Sequence, residues 1–279
     1  MGQTLPTFLI VGAARSGTTS VWQYLRDHPD VFMPDEKEVN FFNEDGSFDR
    51  GLDWYAGLFA PGRGKKAIGE ASPSYLASTE AAPRMAAVVP DARLVAILRN
   101  PIDRTYSHYL HGRFFAVERR SFRHAVEQEL RSPGDVPWPF NYVAQSHYHE
   151  QLVRLNAYYP REQILVQLLD DLRTDPAAAF RSVCEHLGID PTVIPASLGE
   201  TKNAYRESRA QPLVRFLMRP AINRRIPKRV WPVIQRLVTR EGGAPEPIDP
   251  DVRARLAEHF APANVALGEW LGRDLSAWR

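Results

Sequence analysis

Phe8-Leu9-Ile10-Val11-Gly12-Ala13-Ala14-Arg15-Ser16-Gly17-Thr18-Thr19 joins a short apolar run, a glycine turn and the start of a helix. The apolar run, Phe8 to Val11, fits a strand buried on both faces, and the helix spans about Gly17 to Arg26. His28-Pro29 stops that helix, because the residue before proline avoids helical backbone. A glycine turn placed this way binds phosphate: backbone amides converge on the anion and the helix N-terminus adds partial positive charge. Gly12 and Gly17 have the spacing of the nucleotide pattern G-x-x-x-x-G-K-[ST], yet Thr18 stands where that pattern has lysine. Arg15 puts a fixed positive charge inside the loop instead. Ala14, Arg15, Ser16, Gly17, Thr18 and Thr19 are therefore candidate phosphate contacts.

The same strand–turn–helix alternation recurs outward from this stretch. A strand near Ala67 to Gly69 leads through Ser72-Pro73 to a helix around Ala81 to Val89. Leu94 to Leu98 is a continuous apolar run, as a central parallel strand requires. Asn100-Pro101 opens a helix with an N-cap residue and a proline in the first helical position. A helix over Ser121 to Arg131 precedes a loop, Ser132 to Ser146, that carries Trp138, Phe140 and Tyr142. Long loops inside a compact domain usually serve a function, and these aromatics suggest a substrate wall. A helix from Tyr148 to Tyr158, a strand from Ile164 to Leu168 and a helix capped by Asp175-Pro176 and ended by Gly188 follow. After Leu198 the periodicity reads as wholly helical. The expectation is an α/β fold: a P-loop-type parallel β-sheet flanked by helices, in a single domain over 1–279 with a helical, basic C-terminal region from about 200 to 279.

Composition narrows the class. The 279 residues are 44% hydrophobic and 24% charged, as in ordinary globular proteins. No run of eighteen apolar residues suits a transmembrane helix, and the N-terminus lacks a basic region or a long apolar core of the signal-peptide kind. The single cysteine, Cys184, excludes an internal disulfide and any multi-cysteine metal site, and its place on the apolar side of a helix marks it as a buried packing residue. A cytoplasmic location fits these features. Between Lys202 and Arg240 eleven basic residues face one acidic residue, Glu207, but no nucleic-acid-binding module accompanies them. The segment 212–240 mixes apolar and basic residues as interfacial helices do, and reads either as a solvated face or as a surface for peripheral membrane contact.

An Mg²⁺-dependent nucleotidase of this kind needs a loop lysine and an acidic metal ligand near a strand end. Here the strongest strand ends in Arg99. A strand-end arginine and the hydroxyl of Ser107, two turns into the next helix, can grip one phosphate. Two anion sites and no metal suit a nucleotide phosphorylated at both 5′ and 3′.

With these residues in place, the chain resembles the sulfotransferases that use 3′-phosphoadenosine-5′-phosphosulfate (PAPS). Phe8 to Thr19 is similar to that family's 5′-phosphosulfate loop, and Leu98-Arg-Asn-Pro-Ile-Asp-Arg-Thr-Tyr-Ser-His-Tyr109 to its 3′-phosphate motif. His28-Pro-Asp-Val31, Glu38-Val-Asn-Phe-Phe42, Asp53-Trp-Tyr55, Glu70-Ala-Ser-Pro-Ser-Tyr75 and Ser146-His-Tyr-His149 resemble the heparan sulfate N- and 3-O-sulfotransferase branch. Gly272-Arg-Asp-Leu-Ser-Ala-Trp278 has counterparts in bacterial relatives. The resemblance implies PAPS as donor, PAP as product and no metal. It implies Glu38 as the base, Arg15 as an electrostatic partner of the leaving phosphate, and His111 as a second candidate for proton transfer.

It also implies 5′-phosphate contacts from the loop, 3′-phosphate contacts from Arg99 and Ser107, and further cofactor contacts from Arg206 and Arg209. Lys37, Tyr75, Trp138, Phe140, Tyr142 and His149 become the expected acceptor-binding residues. The acceptor is expected to be a small molecule, glycan or glycolipid rather than a nucleic acid. Two departures from the family stand out. Arg15 replaces its usual lysine, and Ala71 occupies the position where the heparan branch has a lysine; either Lys37 substitutes for that cation or its contribution is absent. The Ala- and Arg-rich composition points to a high-GC bacterium, where no heparan is expected. A P-loop kinase or nucleotidase, or a degenerate relative that binds without turnover, is the alternative.

Overall fold

The computed structural model describes residues 2–200, 206–208, 216–217, 230, 239–241 and 245–279. In chain order the elements begin with β1 (Phe8–Gly12), α1 (Thr18–Arg26), β2 (Val31–Phe32), α2 (Asp45–Phe48), α3 (Gly51–Gly57), β3 (Ala67–Ala71), α4 (Ala81–Val88) and β4 (Arg93–Leu98). Next come α5 (Pro101–Phe114), α6 (Phe122–Arg131), α7 (Tyr148–Asn156), β5 (Ile164–Leu168), α8 (Leu169–Thr174) and α9 (Pro176–Leu187). Two short strands, β6 (Arg206–Ser208) and β7 (Thr239–Glu241), precede α10 (Pro250–Leu271). The chain divides into two compact units. One holds Met1–Arg99, Tyr148–Lys202 and Val265–Asp274; the other holds Asn100–His147, Asn203–Asn264 and Leu275–Arg279.

The first unit contains the expected α/β core. Its five strands are parallel, in the order β2-β3-β1-β4-β5. All five residues of β1 and all of β4 except Arg93 are buried, which is why both read as unbroken apolar runs. On one face Val21, Tyr24 and Leu25 of α1 and Phe180, Val183, Cys184 and Leu187 of α9 pack with Phe8, Ile10, Val95 and Ile97. Cys184 is fully buried, and burial pushes its thiol up to about 12, so it is an inert packing residue at neutral pH. From β1 the chain moves outward to β2, while from β4 it moves to the opposite edge. The directions diverge between β1 and β4, and open α/β sheets bind ligands outside the strand carboxyl ends at such a switch point.

Caps behave as their residues dictate. Asn100 Oδ1 accepts from Ile102 N at 2.9 Å, Ser121 Oγ from His124 N at 3.2 Å and Asp175 Oδ1 from Ala178 N at 2.9 Å. Gly188 ends α9 in the left-handed region, φ 70°. The second unit packs α5, α6, residue Val143 and α10 around Ile102, Val126, Val252, Leu256 and Phe260. The region read as wholly helical needs one correction: β6 and β7 pair antiparallel there, with Glu207 opposite Arg240. Three-residue strands are too short to show a two-residue period above the helical one.

Candidate active site

The loop after β1 is built from close backbone packing. Ala13 N donates to Ile97 O at 2.8 Å, which ties the turn to β4, and Ser16 N donates to Ala13 O at 3.2 Å. Gly12 lies against the turn after β3, where an added Cβ would come within 2.5 Å of Leu76 Cβ. Gly17, the N-cap of α1, has φ 90°, a conformation that favours glycine, and a Cβ there would meet Leu169 at 2.7 Å. Gly17 brings no side-chain cap to α1. The first amides of a helix have no partner within it, so this end suits an anion. Thr18 and Thr19 open the helix, buried and half-buried. Ser16 is fully buried, and its hydroxyl has no hydrogen-bond partner among the described residues. A buried hydroxyl left in that state costs about 1–3 kcal/mol, and a phosphate oxygen would satisfy it.

Charge converges on the same loop. Arg99, at the end of β4, donates from Nη1 to the Arg15 carbonyl at 3.4 Å. Burial, with the Arg99 charge nearby, draws the Arg15 guanidinium below its ordinary value, while Glu38 acts in the opposite direction. Two guanidiniums beside a helix N-terminus are stabilised by an anion among them. Arg15 itself has φ 71°, a left-handed conformation costing a non-glycine residue about 1–2 kcal/mol. Such strain clusters at ligand sites, where the surroundings over-determine it.

Glu38 has the same character. Its φ is 66° and that of Asn40 is 54°. Glu38 N donates to Ala71 O at 2.9 Å, and Asn40 N donates to Ser72 Oγ at 3.0 Å, so the turn after β3 holds this stretch by its backbone. The Glu38 side chain is 56% exposed and its Oε1 accepts from Lys37 Nζ at 2.7 Å. Glu38, Lys37, Arg15 and Arg99 thus lie in one unit, linked through these contacts.

A neighbouring carboxylate is absent from the expected site. Glu70, in β3, is 1% exposed and accepts from Tyr55 (2.8 Å), Tyr75 (2.7 Å) and Ser72 (2.6 Å) hydroxyls. Burial pushes its carboxyl upward; the three hydroxyl donors and the Lys37 charge oppose that. A glutamate inside an otherwise apolar parallel strand is the signal that could have found it. Tyr75 differs from its expected place in an acceptor wall. It is 1% exposed, because a buried carboxylate satisfies its hydroxyl. His149 is half-buried at the start of α7, also in the first unit.

In the second unit Ser107 is half-buried on α5, and His111, on the same helix, is exposed with its ring 4.8 Å from that of Phe115. Tyr142 is likewise buried rather than lining a surface: its hydroxyl donates to Glu118 Oε2 at 2.9 Å. Trp138, 68% exposed, and half-buried Phe140, under the Arg120 guanidinium at 5.6 Å, remain the accessible aromatics of the loop. The reading also passed over Arg104. It is buried on α5 and donates to Tyr142 O (3.0 Å), Gln145 Oε1 (3.1 Å) and Ser146 Oγ (3.3 Å). Arg206 lies in β6, of which only the backbone is described, and Arg209 and most of 212–240 lie outside the described residues. Among the described residues no helix is long and apolar enough to cross a membrane.

Comparison with known proteins identifies the family. A sulfotransferase-domain family model matches residues 5–214. Human bifunctional heparan sulfate N-deacetylase/N-sulfotransferase 3 is 33% identical over 198 residues, covering 67% of this chain and 23% of that protein. Mouse heparan sulfate glucosamine 3-O-sulfotransferase 6 is 32% identical over 188 residues, covering 67% of this chain and 54% of that protein. The chain therefore spans about a quarter to a half of the length of these relatives. The crystal structure of a sulfotransferase from Alicyclobacillus acidocaldarius superposes with a TM-score of 0.74 at 30% identity, covering 98% of both chains. Mouse sulfotransferase SULT7A1 complexed with PAP shares the fold, at a TM-score of 0.55 and 14% identity, covering 95% of this chain and 86% of that one. The phosphate-type loop, the strand-end arginine and these matches make the chain a member of the sulfotransferase family, and an enzyme of that class.

Proposed function

We propose that this sulfotransferase moves a sulfuryl group from PAPS to a hydroxyl or amine of a carbohydrate, glycolipid or secondary-metabolite acceptor. The observation that carries the reading is the fully buried Ser16 hydroxyl, without a partner among the described residues, in a loop that Arg15 and Arg99 charge positively. That donor set fits a phosphate ester. Ala14, Ser16, Gly17, Thr18 and Thr19 would hold the 5′-phosphate, and Arg99, with Ser107 from the motif, the 3′-phosphate. Arg206 and Arg209 keep the cofactor role that the family resemblance gives them.

PAPS, when bound, supplies an activated sulfuryl group on a phosphate leaving group. Glu38 takes the proton from the acceptor hydroxyl or amine as that atom bonds to sulfur. Its exposure leaves it reachable by an acceptor, and Lys37 orients it at 2.7 Å. Arg15 meets the negative charge that grows on the phosphate oxygen as the sulfur–oxygen bond breaks, and the loop amides share it. Arginine stays protonated, so its part is electrostatic. His111 is the second candidate for moving a proton, and Lys37, His149, Trp138 and Phe140 are candidate acceptor contacts.

The test is calorimetric titration with PAP, beside ATP and ADP, with Mg²⁺ present and then chelated. Micromolar or tighter PAP binding that ignores the metal supports the reading and opens an acceptor screen. Preferential Mg²⁺-dependent ATP binding overturns it in favour of a P-loop kinase or nucleotidase.

A further inference from the structure

We infer that Glu70 is the positioning residue of the proposed base: its buried carboxylate, acting through the Ser72 hydroxyl, holds the stretch that presents Glu38. The inference rests on the reading of Glu38 as base. A parallel strand covered on both faces would ordinarily carry an apolar residue at this place. Glu70 instead gathers three hydroxyl donors, each from a different position: Tyr55 on α3, and Ser72 and Tyr75 on the turn after β3. Three donors aimed at two oxygens suit the ionised carboxylate, which only accepts.

Ser72 passes this order on to the base. Its hydroxyl has one hydrogen, given to Glu70 Oε2 at 2.6 Å, and its oxygen accepts from Asn40 N at 3.0 Å. A continuous donor chain therefore runs from the Asn40 amide through Ser72 to Glu70, and each bond polarises the next. Two residues earlier, Glu38 N donates to Ala71 O. The end of β3 and the turn after it thus grip the chain at Glu38 and at Asn40, the two residues of this stretch with left-handed φ. Phe41 and Phe42, which follow, pack on Tyr55: Phe41 stacks at 4.2 Å and Phe42 meets it edge-on at 5.2 Å. The same tyrosine that donates to Glu70 therefore supports the far side of the Glu38 stretch. Tyr55 and Tyr75 secure the carboxylate; Ser72 is the link that leads to the base.

The experiment compares Glu70→Gln, Ser72→Ala and Tyr55→Phe in the full chain, by three readouts. These are hydrogen exchange at the Glu38 and Asn40 amides, PAP affinity by calorimetry, and PAP release from PAPS with water as acceptor, so that no acceptor is presupposed. Glu70→Gln and Ser72→Ala should speed exchange at Glu38 and Asn40 and slow PAP release about tenfold or more, since small misplacements of a reacting group are costly. PAP affinity should stay within about twofold in both. Tyr55→Phe keeps its ring on Phe41 and removes one of three Glu70 donors, so it should speed exchange at those two amides and slow PAP release clearly less than either of the other two. In a Glu38→Gln background, Glu70→Gln should slow turnover no further, a non-additivity that a purely structural role would not produce. Unchanged exchange and turnover in both Glu70→Gln and Ser72→Ala overturns the inference, as does equal damage from Tyr55→Phe. Failure of wild type to bind PAP instead defeats the reading of the function, which separates the two.

Discussion

Buried charge is handled in opposite ways at the rim of the first unit's sheet and in the segment 118–147 of the second unit. In that segment, Glu118 accepts from Tyr142, from the amides of Arg119 and Arg120, and from the Arg120 guanidinium. Glu129 accepts from the amides of Val143 and Ala144 at 2.9 and 2.7 Å, and Arg104 grips Tyr142, Gln145 and Ser146 from the other side. At the rim, Arg15 and Arg99 repel, the Ser16 hydroxyl is buried without a partner among the described residues, and Arg15 and Glu38 hold left-handed backbone. The segment is complete as folded. The rim gathers donors and positive charge that suit an anion, and it keeps strain of the kind found at ligand sites.

Mutations that break this contrast should split into losses of stability and losses of function. The largest effect is expected from Arg104→Met. It removes one donor from the Tyr142 carbonyl and from the Gln145 and Ser146 side chains, and it removes the positive charge that favours ionised Glu129. Breaking a buried charge network typically costs about 3–5 kcal/mol, read as a lower urea midpoint. A loss under about 1 kcal/mol would mean that the segment does not depend on this clamp. Next is Glu38→Gln, which should lower turnover about 10²-fold or more while leaving PAP affinity and the urea midpoint unchanged. Near-normal turnover would remove Glu38 from the mechanism.

Arg99→Ala sharpens the comparison with Arg104, since both residues are arginines that donate to carbonyls. Arg99 is half-buried at a strand end and donates to Arg15 O at 3.4 Å. Its removal also relieves the repulsion that Arg15 feels. The free protein should therefore lose less stability than it does with Arg104→Met, read as a smaller shift in the urea midpoint. PAP affinity should fall about tenfold to a hundredfold, the worth of a charge-assisted phosphate contact. Unchanged affinity in calorimetry would exclude Arg99 from the 3′-phosphate site.

What the sequence made legible follows the same division. Strands covered on both faces leave unbroken apolar runs, and caps leave side-chain signatures, so β1, β4 and the helix starts at Asn100, Ser121 and Asp175 could be placed by reading along the chain. The glycine loop after β1 was legible as a candidate anion site because its signals are local: two glycines, one arginine and a helix start lie within eight residues. Tertiary pairing was not. Glu118 meets Tyr142 across 24 residues, and Glu70 meets Tyr75 only because the turn after β3 folds back on the strand, so both tyrosines read as pocket walls when buried carboxylates hold their hydroxyls. The two-residue β2 and three-residue β6 and β7 are shorter than any period can register.

The smallest expected effect probes the rim most directly. Ser16→Ala removes a buried hydroxyl that has no partner among the described residues, without changing the backbone at a position whose amide bonds to Ala13 O. Leaving such a group unsatisfied is unfavourable, so the alanine variant should be more stable than wild type by about 1 kcal/mol in the absence of nucleotide. Saturating PAP should reverse the order, because the wild-type hydroxyl then donates to a phosphate oxygen, a bond alanine cannot make, and binding adds stability that grows with the logarithm of affinity. Urea midpoints of both proteins, with and without PAP, read the crossing in a single plate. An alanine variant that is less stable without nucleotide would show that Ser16 is part of the scaffold. Equal PAP stabilisation of both would show that the hydroxyl faces no phosphate, and the contrast between the rim and the clamped segment would then rest on Arg15 and Arg99 alone.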